Sequence, residues 1–200
     1  FDLLPSSSDL KKKYEDFISR GSEDINRPKV EEELNSEIKA GSIDVNIMVK
    51  LDKLNYNAKN EVLSSEFSDA KLSLKGFAES CLKSSIIFSA GINQTLFGYM
   101  SNFKDFYRDE FGEIKKKIIL KVSDFRSALI QGKFLAKKGL EVHEFRIESG
   151  LNCGGHAFPS NGMLLASLLK EFKEKRSQLR EQFNPIIKKV YEEKGWDYVT

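Results

Sequence analysis

The sequence predicts an α/β protein whose strands form a parallel sheet, with a helical segment ahead of it. From residue 43 onward, short β-branched or apolar runs alternate with amphipathic stretches, the pattern of consecutive βα units. Before that point the apolar residues recur only at helical spacing, so residues 1–41 read as a helical segment and 43–200 as the βα region.

In the first segment, Leu10, Tyr14, Phe17 and Ile18 mark one polar helix, and Val30, Leu34 and Ile38 mark another. Ser8 suits an N-cap, Pro28 a first helical turn and Gly41 a stop. The first strand is expected over residues 44–51, followed by a polar excursion. A helix capped near Ser68 comes next, with Phe67, Ala70, Leu74, Phe77 and Ala78 on its apolar face. The second strand, 85–89, leads through Ala90-Gly91 to a short aromatic helix. The third, 117–122, is followed by a cap at Ser123 or Asp124 and a helix carrying Phe125, Ala128, Leu129, Leu135 and Ala136, which Gly139 ends. The fourth, Val142 to Glu148, enters the glycine-rich turn Ser149 to His156. A long helical tract from about Met163 should break near Pro185, because proline lacks the backbone donor and clashes with the preceding turn.

Composition narrows the function. The chain has 200 residues, 40% hydrophobic, and its 32 Lys+Arg nearly balance 30 Asp+Glu. That is enough for one globular domain with a sizeable core. A balance this even lacks the electrostatic footprint of a nucleic-acid or anionic-membrane binder, so neither partner is expected. No apolar run approaches the roughly 20 residues of a membrane span. Two cysteines, Cys81 and Cys153, are too few for a disulfide framework and suit a reduced cytoplasmic compartment. One cysteine near one histidine does not make a zinc site, so no metal is expected.

In parallel α/β folds, reactive groups gather where the strands end. Asn46, Lys50, Ser89, Gly91, Lys121 and Ser123 are placed there, as is the turn from Asn152 to His156. Gly154 and Gly155 would let a ligand approach the backbone, and the His156 imidazole suits proton transfer near neutral pH. Lys121, inside an otherwise apolar strand, is costly to bury without an anionic partner. Glu144, Arg146 and Glu148 alternate with His143, Phe145 and Ile147, unlike a parallel strand buried on both faces. His143, on the face of Phe145, reads as structural. The runs Lys11–Lys13 and Lys115–Lys117 read as solvated faces.

In order, these segments resemble the FMN-dependent nitronate monooxygenases (2-nitropropane dioxygenase-like) and their flavin-dependent enoyl-acyl-carrier-protein reductase relatives. Val45-Asn46-Ile47-Met48 is similar to that family's second-strand segment and Phe88-Ser89-Ala90-Gly91 to its third. Leu120 to Leu129, Lys138-Gly139 and Asn152-Cys153-Gly154-Gly155-His156 are similar to its later strand, helix and histidine turn, although Asn152 stands where the family has a glutamate. The resemblance, over about residues 43–170, implies a TIM (β/α)8 barrel of which the chain holds about four units. It implies an oxidoreductase with FMN held by Asn46, Lys121, Gly154 and Gly155, and His156 as the catalytic base acting on a small-molecule substrate. A homo-oligomer is compatible with it. The family's glycine-rich phosphate loops have no counterpart here, and a closed barrel takes about 250 residues, so the expectation is a segment of a larger enzyme. Two other readings fit the same residues: the flavin barrel of glutamate synthase, and a non-catalytic α/β interaction module.

Overall fold

The computed structural model describes residues 1–38, 41, 43–47, 53–148 and 165–199, in two compact units, Phe1–Ser42 and Ile43–Thr200.

The first unit is a pair of polar helices. Helix α1 (Asp9–Ser19) is capped by Ser8, whose hydroxyl accepts from the Lys11 N–H. Helix α2 (Arg27–Glu37) carries Pro28 in its first turn and buries only Leu34. With so little apolar burial, polar links join the helices. Lys13 pairs with Glu37 at 2.5 Å, and the Arg27 guanidinium donates to the Phe17 carbonyl at 3.1 Å while stacking on that ring. Helix α2 stops at Glu37, short of Gly41, and leaves Ile38 half exposed.

The second unit is α/β. Strands β1 (Asp44–Ile47), β2 (Ser84–Phe88), β3 (Lys116–Val122) and β4 (Val142–Ile147) form one parallel sheet in the order β1-β2-β3-β4. Helices α3 (Asp69–Glu79), α4 (Gln94–Met100) and α5 (Phe125–Ala136) connect successive strands, and α6 (Leu165–Glu193) follows the last. All four helices share one hydrophobic core with Ile47, Ile86, Phe88, Ile118, Leu120 and Val122. These strand residues belong to a single face, so the helices pack on one side of the sheet.

The caps expected at Ser68 and Asp124 are present: their side chains accept from the N–H groups of Lys71 and Ser127. Gly139 follows α5 with φ +76°, a left-handed conformation that glycine adopts without strain. Inside α5, a Cβ at Gly132 would fall 2.4 Å from the Phe183 ring, so glycine lets α6 approach α5 closely.

Three expectations need correction. Helix α6 does not break at Pro185 but runs through it. Phe183, Ile187 and Tyr191, buried on both sides of the proline, offset the roughly 3 kcal/mol that an interior proline costs. Phe67 lies in the short 3-10 turn Ser65–Phe67, half exposed, and does not face the core. The run Lys115–Lys117 is not a solvated face throughout, because Lys116 is completely buried. Its ammonium donates to the Ser80 carbonyl at 3.0 Å and the Ser80 hydroxyl at 2.8 Å, and it sits 4.6 Å from the Phe77 ring centroid. Burial, with the neighbouring Lys115 charge second, pulls its pKa below the usual lysine range.

Candidate functional site

Strand residues alternate between faces, so the register separates a second face from the helix-packed one. Asp44 and Asn46 of β1 pair laterally with Ser85 and Ile87 of β2, and these with Lys117 and Ile119 of β3. Ile119 and Lys121 pair with Glu144 and Arg146 of β4. Apart from Ile87 and Ile119, every residue in this set is polar or charged.

Two ion-pair systems organise the face. The Lys121 ammonium lies 2.8 Å from a Glu148 carboxylate oxygen, with both side chains half-buried. The anionic partner that an inward-facing lysine requires therefore comes from the residue just after β4. Arg146 meets Glu144 at 2.6 Å and Asp44 at 2.7 Å, and these two carboxylates hold its pKa above the usual arginine value.

The Asp44–Arg146 pair constrains the shape of the sheet. The two residues stand on opposite edge strands, three strand spacings apart, which is about 14 Å in a flat sheet. A direct bridge requires the sheet to curl toward its polar side. In register terms the bridge crosses the row of Ile87 and Ile119, which are each 2% exposed yet do not belong to the helix-side core.

Of the residues singled out in the sequence, Asn46 and Lys121 lie on this face, in the C-terminal halves of their strands. Asn46 is exposed, and its side-chain amide makes no hydrogen bond among the described residues. Ser89, just beyond β2, is buried, and Ser123 donates to the Asp124 carboxylate at 3.3 Å. Lys50, Gly154, Gly155 and His156 lie outside the described residues, as does Cys153; Cys81 is exposed. Asp44 was not singled out, although it closes the bridge. The only sequence signal for it was the unsatisfied polar alternation of β4. Among the described residues no group of three or more His, Cys, Asp or Glu side chains could hold a metal, and no helix is long and apolar enough to cross a membrane.

The face thus offers an exposed amide, a paired lysine and a guanidinium held between carboxylates. That set suits binding and orienting a polar ligand more than supporting a core. No family model, curated protein or solved structure matches the chain.

Proposed function

We propose that the polar face is the ligand side of a flavin-dependent oxidoreductase barrel of the nitronate monooxygenase type. The observation that carries this reading is the sharing of one face, at one end of the sheet, by Asn46 and Lys121, with Gly154-Gly155-His156 following in the chain shortly after β4. Sequential strand order, helices on one side and a curl toward the other are what a (β/α)8 barrel requires of four consecutive units.

The residues fit an isoalloxazine edge, which carries carbonyl acceptors and ring nitrogens. The exposed Asn46 amide offers both a donor and an acceptor, and Lys121 offers a cationic donor whose charge Glu148 balances. Gly154 and Gly155 would lie against the cofactor. FMN, when bound, would supply the redox chemistry. His156 would take the proton from the carbon bearing the nitro group, a task suited to a neutral imidazole within hydrogen-bond reach.

Titration of the full-length protein with FMN, followed by the visible spectrum, tests this. Bound flavin is expected to show a shifted and structured absorption band, and Lys121→Met should weaken binding at least tenfold, about 1.4 kcal/mol. A protein that stays colourless, or a Lys121→Met variant that binds FMN as tightly as the parent, overturns the reading.

A further inference from the structure

Strand β4 does not follow β3 evenly. Ile118 pairs with Val142 and the next residue, Ile119, pairs with Glu144, so His143 is the extra residue of a β-bulge. A bulge on an edge strand re-aims one side chain out of the alternation. His143 is exposed, and the bulge breaks the strict alternation by which it was placed on the face of Phe145.

His143 borders two adjoining cavities of about 460 and 500 Å³, each within the size range of small-molecule sites. Both are also lined by Glu141, Val142, Arg180 and Asn184. The first has an apolar floor that includes Phe145, Phe183 and Ile187. Arg176 also lines it, one turn from Arg180 on α6, so both side chains project from the same side of the helix.

The second cavity is polar, and its charges do not cancel. Glu141 is fully engaged by Arg108 in a two-pronged pair at 2.5 and 2.8 Å, and the Arg108 pKa is raised mainly by that hydrogen bonding. Among the described residues, Lys117 and Arg180, which line this cavity, and Arg176, which lines the first, make no ion pair, and the second cavity's other carboxylate is Glu113. An apolar floor beside unpaired cations matches a molecule with an apolar body and a compact anionic end.

We infer that this groove at the start of β4 binds a phosphate monoester carried on an apolar ring, with the dianion between His143, Arg180 and Arg176 and the ring over Phe145 and Phe183. The groove lies at the opposite strand ends from Asn46 and Lys121, so the inference stands without the flavin reading.

Phenyl phosphate, phenol, benzoate and inorganic phosphate, titrated into the full chain by calorimetry, test it. Phenyl phosphate should bind at least tenfold more tightly than each of the other three. The double variant Arg176→Ala/Arg180→Ala should lose at least tenfold, and His143→Gln should lose a smaller factor. Lys170→Ala, on α6 outside both cavities, should leave binding unchanged. Circular dichroism checks that each variant folds, and Arg180→Gln alone replaces the double variant if that one does not. Phenol or inorganic phosphate equal to phenyl phosphate overturns the two-part site, and benzoate equal to it overturns the dianion. Undiminished affinity in the folded arginine variant overturns the groove itself.

Discussion

The two faces of the one sheet follow different rules, and strand β3 displays both. Toward the helices it presents Ile118, Leu120 and Val122, each 0% exposed, inside a core shared with four helices. Toward the other side it presents Lys117, Ile119 and Lys121. Even two of its cations differ. Lys116, on the helix side, is held by the neutral oxygens of Ser80 and an aromatic ring, whereas Lys121 is held by the carboxylate of Glu148. Hydrophobic burial decides the first face, so its residues are explained by stability alone. The second carries charges that packing does not require, and charges removed from water cost stability unless paired. That difference directs the search for function to the second face.

Adjacent isoleucines on β3 test the distinction most severely. Ile118→Ala should cost about 3–4 kcal/mol, because truncation leaves a cavity among helix side chains that cannot collapse. Ile119→Ala should cost about 2 kcal/mol, since its neighbours on the polar face can shift or admit water. Urea unfolding of the two variants measures both. Equal losses, or the reverse order, would mean that the polar face bears as much of the packing as the helix face.

Much of the fold was legible in the sequence because local signals and burial agreed there. Strands β2 to β4 start and end within a residue or two of their expected limits, and the caps at Ser8, Ser68 and Asp124 follow from side-chain chemistry at helix starts. What escaped depends on tertiary surroundings. Nothing within Lys115-Lys116-Lys117 distinguishes the buried lysine, because Ser80 lies 36 residues away from it. Continuity through Pro185 rests on what Phe183 and Ile187 bury. The bulge that turns His143 outward is a property of pairing with β3, which alternation within β4 does not encode. For the candidate site, the polar face was foreshadowed by Glu144, Arg146 and Glu148, while the partner Asp44 became identifiable only once β1 and β4 were seen to approach.

Lys116 gives the next largest effect, in the opposite direction. Lys116→Met should be stabilising by about 1 kcal/mol, because an apolar side chain of similar length often improves on a buried ionic group. The pH dependence follows from the lowered pKa. Between the depressed folded value and 10.5 the unfolded chain binds the proton more readily than the folded one, so this group destabilises the fold at lower pH and ceases to do so as pH rises toward 10.5. The advantage of Lys116→Met over the parent should therefore be greatest near neutrality and shrink in alkali. Thermal unfolding of both proteins at pH 7 and 10 measures it. A gap that widens with pH would show that the buried ammonium supports the helix face.

Arg146→Ala should have the smallest effect on stability and separates the faces from the other side. The Arg146 side chain is 37% exposed, and its guanidinium bridges two carboxylates on the polar face. Exposed pairs contribute about 0–1 kcal/mol, and salt screens them. Replacing Arg146 also leaves Asp44 and Glu144 unneutralised, but both reach water. The loss should stay below about 1 kcal/mol in low salt and fade in 1 M sodium chloride, measured by urea unfolding. A loss of several kcal/mol that salt does not reduce would mean that the Asp44–Arg146 bridge holds the curl as an architectural tie. The polar face would then be part of the scaffold, and the division between a packed face and a free one would fail at its most exposed residue.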